Sequence, residues 1–247
     1  MKAKSFAKIN LFLKIEGYKN GYHQLNSRFM KVKNLYDEIE FQEGTFNIIG
    51  DFDCAVRENT IFKAYHKLIT TFPEIRGYFI GKKIVVKKNI PAMAGLGGGS
   101  SNAATFLKMV NKDSGLNLSL DELAKIGAEI GSDVPFFIYD YDVANVYGRG
   151  EIVEKYDEYS FDIEILVPPI ECSTPKVFQI YREQFFNPQK SDFDKISTIE
   201  LLKTKKAEEL NDLLKPALAL YPELHKYRNF GYFSGSGSSF FRIKEEQ

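Results

Sequence analysis

The sequence predicts an α+β fold in two domains. Three observations carry this: the first fifty residues alternate apolar and polar positions as strands do, helix patterns with start signals follow from Asn59 onward, and strand and helix patterning begins afresh beyond Tyr156. The boundary is expected near residue 155, giving an N-terminal domain at 1–155 and a C-terminal domain at 156–247 of the 247 residues.

Ser5 to Glu16 (SFAKINLFLKIE) alternates apolar positions with Lys8 and Asn10 and reads as a strand leading to a turn at Gly17 to Gly21. Lys8 and Asn10 are two apart, so they share one face of that strand. Phe29 to Val32 and Asp37 to Gln42 (DEIEFQ) are further strands, and Thr45 to Ile49 continues the sheet. Asn59 to Thr71 places Ile61, Phe62, Tyr65, Leu68 and Ile69 at helical spacing, with Asn59 or Thr60 able to cap the start. Lys82 to Lys88 is a short β-branched strand that feeds through Asn89-Ile90-Pro91 into AMAGLGGGSS and then a helix over Asn102 to Asn111. Ser119 and Glu122 form a capping box ahead of Leu123, Ile126 and Ile130, and that helix ends at Gly131. Phe136-Phe137-Ile138 follows as an apolar run, which puts Asp133 at an expected helix-to-strand junction, and Val143 to Tyr147 is another strand. The second half reads as a strand (Phe161 to Val167), helices near Lys176 to Phe185 and Thr198 to Ala219, and a final strand region, Tyr232 to Ile243.

Thirty-three basic and 33 acidic residues cancel, so no net field steers the chain onto nucleic acid or an acidic membrane, and a small-molecule substrate is expected. Cys54 and Cys172 are the two cysteines and lie in no metal-binding or redox spacing, which fits a reducing cytoplasm. Lys2, Lys4, Lys8 and Lys14 interrupt the N-terminus, so no export signal is expected, and nowhere is there the run of about 20 apolar residues that crosses a bilayer. A soluble cytoplasmic protein is therefore expected. No repeat or low-complexity segment interrupts the chain, and nothing in the pattern specifies an oligomeric state.

The densest chemical signal is the loop. Gly95, Gly97, Gly98, Gly99, Ser100 and Ser101 crowd into AGLGGGSSN. Such glycines cost folding entropy, and their use is to reach φ > 0 and to let a ligand approach without a Cβ in the way. A helix follows, and its first unsatisfied N–H groups and positive dipole end receive anionic oxygens. A glycine-serine run also serves as a plain connection, but a position between strand and helix favours the phosphate cradle. It is not a P-loop, which needs Lys after the last glycine, nor a dinucleotide fingerprint, which needs glycine where Ser100 stands.

PAMAGLGGGSSNAA (Pro91 to Ala104) resembles the P-x-x-x-G-L-G-[GS]-[GS]-S motif of the GHMP kinases, a family of small-molecule kinases. AKINLFLKI (Ala7 to Ile15), GYHQLNSRF (Gly21 to Phe29), GSDVPFFI (Gly131 to Ile138) and FSGSGSSFF (Phe233 to Phe241) resemble the branch of that family whose acceptor carries a cytidine diphosphate group. The resemblance implies the GHMP kinase fold, with an N-terminal ribosomal-protein-S5-domain-2-like domain that binds ATP and a C-terminal ferredoxin-like α+β domain on the substrate side. It implies transfer of the ATP γ-phosphoryl group to a hydroxyl of an isoprenoid precursor. ATP would lie on Pro91, Ala92, Met93, Ala94, Gly95, Leu96, Gly97, Gly98, Gly99, Ser100 and Ser101. The implied catalytic pair is Asp133, taking the hydroxyl proton, and Lys8, stabilising the ionised oxygen and the transferred charge. Asn10 would lie near the reacting end of the substrate, with Tyr22, His23 and Phe178 around the cytosine. Mg2+ is expected as in other phosphoryl transfer, with Ser100 or Ser101 able to reach it and the remaining ligands unassigned. Ser132 stands where the motif more commonly has Ala. His66 and His225 are assigned to ordinary helix positions.

Three rivals remain at this point. One is another GHMP kinase, of homoserine or mevalonate type, against which Tyr22-His23 speaks because those enzymes hold no cytosine. A second is an acyl enzyme, since Ser5-Phe-Ala-Lys8 matches S-x-x-K, although the companion S-D-N and K-T-G motifs are missing. The third is a catalytically silent nucleotide-binding protein.

Overall fold

The computed structural model describes residues 1–244, so the last three residues of the expected 156–247 domain lie outside it. In chain order the elements are β1 (Lys2–Lys19), β2 (Tyr22–Glu43), β3 (Ile48–Ile49), α1 (Thr60–Thr71), β4 (Lys82–Lys87), α2 (Gly98–Ser114), α3 (Leu120–Ile130), α4 (Val134–Tyr139), β5 (Val143–Gly148) and β6 (Ile152–Lys155). There follow β7 (Ile163–Leu166), α5 (Thr174–Ile180), α6 (Thr198–Thr204), α7 (Ala207–Leu210), α8 (Leu214–Leu220), β8 (Tyr232–Phe233) and β9 (Phe240–Ile243). Packing groups the described residues into two compact units: Met1–Ala7, Val32–Ile90 and Gly97–Tyr141 in the first, Lys8–Lys31, Pro91–Leu96 and 142–244 in the second.

In the first unit, β2 pairs antiparallel with β4 from Glu38↔Lys87 to Glu43↔Lys82, and β3 adds in parallel on the other side of β4. Alternation along β2 turns Asp37, Ile39 and Phe41 inward and leaves Glu38 and Glu40 partly exposed. The helices cover that inner face: α2 packs against α1, α3 and α4, and Phe106 of α2 meets Phe41 and Phe79 at ring centroid distances of 5.8 and 6.2 Å. α1 is capped by Asn59, whose side chain accepts from Ile61 N, and α3 by the complete Ser119–Glu122 box. α3 and α4 are so close that a Cβ on Gly127 would lie 2.7 Å from Val134 Cγ1.

In the second unit, the hairpin between β1 and β2 turns on Asn20 and Gly21, with φ of 52° and 83°. Two successive positive φ values are what a tight hairpin turn demands, so the strand runs through Gly17 and reverses only there. β2 pairs antiparallel with β5 from Leu25↔Gly148 to Met30↔Val143, β5 pairs with β6, and β7, β9 and β8 form a three-stranded antiparallel sheet. Leu13, Ile15, Val177, Leu213, Leu214, Ala217, Phe233 and Phe240 form its apolar core. Arg28 lies inside this unit at 0% exposure. Its guanidinium donates to Asn145 Oδ1, Thr198 Oγ1 and the carbonyls of Phe193, Asp194 and Ile196, and stacks 3.5 Å from the Tyr156 ring centroid.

Several expectations are corrected. Phe29–Val32 and Asp37–Gln42 belong to one 22-residue strand. The helix expected from Asn102 begins at Gly98, inside the glycine run. Phe136-Phe137-Ile138 is helical, so Asp133 joins two helices rather than a helix and a strand; all of Val134 to Ile138 is buried, which removes the one-sided periodicity that marks a surface helix. The helix expected over Thr198 to Ala219 is three short ones. Asn211 breaks it by turning its side chain to the chain end, donating to Phe233 O at 2.9 Å and Gly235 O at 3.0 Å while accepting from Leu213 N.

Candidate functional site

The glycine loop passes from the second unit to the first between Leu96 and Gly97, and each unit holds its own constellation of polar side chains.

In the first unit, Gly97 caps α2 in the left-handed region at φ 70°, and no side chain caps the helix. The amides of its first turn, among them those of Gly98, Gly99 and Ser100, are the donors that a helix leaves unmatched. Gly99 is exposed, and a Cβ there would meet nothing nearer than Thr60 at 3.5 Å, so its bareness serves no packing need. Ser100 Oγ lies 3.5 Å from the Cβ position of Gly131, two residues before Asp133. Asp133 occupies the N-cap position of α4 without capping it, and Val134 N donates to Gly131 O, closing the turn that presents the carboxylate. Ser101 points inward: its hydroxyl accepts from Ser5 Oγ at 2.7 Å, and Asn102 Nδ2 donates to Ser5 Oγ at 2.9 Å. Ser5 is fully buried in these bonds, which leaves the S-x-x-K reading without an accessible nucleophile.

In the second unit, Lys8 is 4% exposed. Its ammonium donates to Asn10 Oδ1 at 2.6 Å and Gly95 O at 3.2 Å, and lies 4.6 Å from the Phe29 ring centroid. Asn10 donates from Nδ2 to Ser27 Oγ, which donates on to Phe12 O. The same-face expectation for Lys8 and Asn10 is met. Residues 91–96 of the loop are fastened by the C-terminal glycine-serine segment: Ser234 Oγ donates to Gly95 O and accepts from Asn10 N, Ser239 N donates to Ala94 O, and Lys8 N donates to Leu96 O. A Cβ on Gly95 would lie 2.3 Å from Ser234 O. Gly95 stands at φ 75°, so of the two uses given above it serves the first, while its missing Cβ makes room for backbone rather than for a ligand.

The aromatic residues also gather in this unit. His23 packs on Phe178 at 5.0 Å and 32°, and edge-on to Tyr18 and Tyr181 at 5.0 and 5.6 Å. Its Nε2 is buried with no hydrogen-bond partner. Burial, and secondarily the Arg182 charge, holds the imidazole below its ordinary pKa of 6.5, so it is neutral at pH 7. Tyr22 is 53% exposed, with the Arg149 guanidinium 5.3 Å from its ring.

Residues 59–141 match the family description "GHMP kinases N terminal domain". The chain is 50% identical to the 4-diphosphocytidyl-2-C-methyl-D-erythritol kinase of Sulfurimonas denitrificans, covering 99% of this chain and 97% of that protein. The chain belongs to the 4-diphosphocytidyl-2-C-methyl-D-erythritol kinase family of GHMP kinases. The protein of that name from Campylobacter jejuni subsp. doylei is 39% identical over 97% of this chain and 99% of its own length. A crystal structure of 4-(cytidine 5'-diphospho)-2C-methyl-D-erythritol kinase superposes with TM-score 0.77 at 28% identity, covering 99% of this chain and 90% of that one. The Methanococcus jannaschii mevalonate kinase, at TM-score 0.62 and 16% identity, shares the fold. The fold is thus the α+β GHMP kinase fold, and membership makes the chain an ATP-using phosphotransferase with an alcohol acceptor.

Mg2+ keeps most of its coordination sphere as water and phosphate oxygens and takes one or two protein ligands. Among the described residues no group of three or more His, Cys, Asp or Glu could hold a metal, and Ser101 is engaged by Ser5. That donor set fits an ion carried on ATP and touched by Ser100, and does not fit a dedicated metal cage. Sequence reasoning missed Asp37, Lys88, Ser234 and Asn211. Asp37 was detectable, since DEIEFQ puts a carboxylate in register with Ile39 and Phe41 on the inward face. Asn211 gave no signal, because its partners lie 22 and 24 residues on.

Proposed function

We propose that this chain transfers the γ-phosphoryl group of ATP to the 2-hydroxyl of 4-diphosphocytidyl-2-C-methyl-D-erythritol, in the cytoplasm, in the non-mevalonate route to isoprenoid precursors. The observation that carries the location of the chemistry is the nearness of the Ser100 hydroxyl to Gly131, which sets the phosphate loop beside the turn bearing Asp133 within one unit.

The α2 amides at Gly98 to Ser100 would hold the triphosphate oxygens, and the Ser100 hydroxyl would be a protein ligand for Mg2+, which would supply neutralisation of the phosphate charge. Asp133 accepts the proton of the acceptor hydroxyl. Phosphoryl transfer is loose, with little bond making before the leaving oxygen departs, so its main needs are alignment and charge. Lys8, oriented by Asn10 and Gly95 O, supplies a positive charge whose desolvation strengthens it against the developing alkoxide and the equatorial oxygens. The cytosine stacks on Phe178 and Tyr22, and the partnerless Nε2 of neutral His23 hydrogen-bonds the base edge, which satisfies an otherwise costly buried group.

The test is turnover against a panel of alcohols with Asp133→Asn and Lys8→Ala beside the parent. A general base contributes on the order of 10²–10⁴ in rate, so Asp133→Asn loses about that much while binding an ATP analogue normally. Phosphorylation of homoserine or mevalonate in place of the cytidine substrate overturns the acceptor, and full activity in both variants overturns the mechanism.

A further inference from the structure

The first unit contains a buried charge cluster that the chemistry above does not use. Asp37 is 0% exposed and accepts four hydrogen bonds: from Asn89 N at 2.7 Å, Ile90 N at 2.8 Å and Asn102 Nδ2 at 2.8 Å, and from the Lys88 ammonium. Lys88 also donates to Asn102 Oδ1 at 3.0 Å, and Asn102 reaches on to Ser5, which holds Ser101. An apolar side chain at this inward position would strand the backbone amides of Asn89 and Ile90, so the cluster cannot be exchanged for hydrophobic packing as a lone buried ion pair can. What the cluster does accomplish is spatial. Asn89 and Ile90 are the last residues before the phosphate loop, and Asn102 stands one turn beyond the first residue of α2. One carboxylate thus grips the strand end that enters the loop and the helix turn that leaves it. Lys88 Nζ is 3.6 Å from the Cβ position of Gly98, so the clamp reaches the glycine run itself.

We infer that Asp37 is a positioning residue for ATP. Through Lys88, Asn89, Ile90 and Asn102 it fixes the first turn of α2 so that the amides of Gly98 to Ser100 are aimed at phosphate before ATP arrives. Pre-aimed donors cost nothing to reorganise on binding, and losing about 1 Å of alignment costs on the order of 10²-fold in the transferred reaction. This rests on the phosphate-loop reading above.

The experiment compares parent, Asp37→Asn, Asn102→Ala and the double swap Asp37→Asn with Asn102→Asp. It measures calorimetric affinity for a non-hydrolysable ATP analogue, KM for ATP, KM for the cytidine substrate, kcat and Tm. In the swap, the carboxamide at position 37 keeps an oxygen for the two backbone amides and gives its N–H to the carboxylate at position 102, which also receives Lys88, so the clamp is rebuilt in reverse. Both single variants are expected to weaken analogue affinity and raise the ATP KM about tenfold, equivalent to ~1.4 kcal/mol, with the KM for the cytidine substrate within about twofold. The swap is expected to recover most of the loss. Unchanged analogue affinity in folded Asn102→Ala, a parallel rise of both KM values, or a swap that restores Tm without restoring affinity overturns the inference. Should Asp37→Asn not fold, Asn102→Ala decides, because Asp37 keeps Lys88 and both amides there. A parent that binds the analogue but phosphorylates no cytidine substrate sinks the functional reading alone, and the affinity comparison still tests the clamp.

Discussion

Replacing Gly95 by Ala separates two reasons for glycine in one loop. At φ +75° an L side chain is strained by roughly 1–2 kcal/mol. The added Cβ would also stand 2.3 Å from Ser234 O and 3.1 Å from Gly237 O, both backbone atoms that cannot swing aside as a side-chain end does. Relief requires the C-terminal segment to withdraw, which breaks the Ser234 Oγ bond to Gly95 O and the Ser239 N bond to Ala94 O, at about 1 kcal/mol each. The expected cost is therefore about 3–4 kcal/mol. For a chain this long each kcal/mol lowers Tm by about 2–4 °C, so calorimetry should show a fall on the order of 10 °C, with a matching drop in the urea midpoint. Gly99→Ala is the paired measurement: its Cβ makes only an ordinary 3.5 Å contact with Thr60, so Tm should hold while ATP affinity falls. A Gly95→Ala protein as stable as the parent would refute the backbone-contact argument. A Gly99→Ala protein that binds ATP normally would refute the ligand-approach one.

Other outcomes follow from single sites. Arg28→Lys keeps the charge but not the fork: Phe193 O loses its guanidinium donor, whereas Asp194 O keeps Asn145 Nδ2 and Ile196 O keeps the Tyr156 hydroxyl, so urea unfolding should show a loss of about 1–3 kcal/mol. His23 has a folded pKa below its ordinary 6.5, so the unfolded chain binds the proton more readily. Its contribution to stability is present above pH 6.5 and is lost as pH falls below that value, and His23→Gln should flatten this part of the stability profile. Cys172 is buried and its thiol is pushed up to about 12, whereas Cys54 is exposed; native labelling followed by mass spectrometry should therefore modify Cys54 and spare Cys172 until denaturant is added.

What the sequence made legible was local chemistry. The Asn59 cap and the Ser119–Glu122 box were readable because their donors and acceptors sit within three residues of each other. The same-face placement of Lys8 and Asn10 followed from strand alternation alone. The α4 helix was not legible, because burial of every residue from Val134 to Ile138 leaves VPFFI with no periodicity to detect. Nor was the break at Asn211, whose cause is a tertiary bond that overrides helix propensity. The loop was found by its glycine density, but density could not show that a Cβ on Gly95 would strike Ser234 O while one on Gly99 would meet nothing nearer than Thr60 at 3.5 Å.

The fastening of residues 91–96 by Ser234 and Ser239 also bears on biosynthesis. The loop is translated well before its partners, so a nascent chain carries every glycine of the cradle while the hydroxyl and amide that shape it are still unmade. A premature stop between Ala104 and Phe233 would leave the nucleotide motif in the product without the segment that supports it.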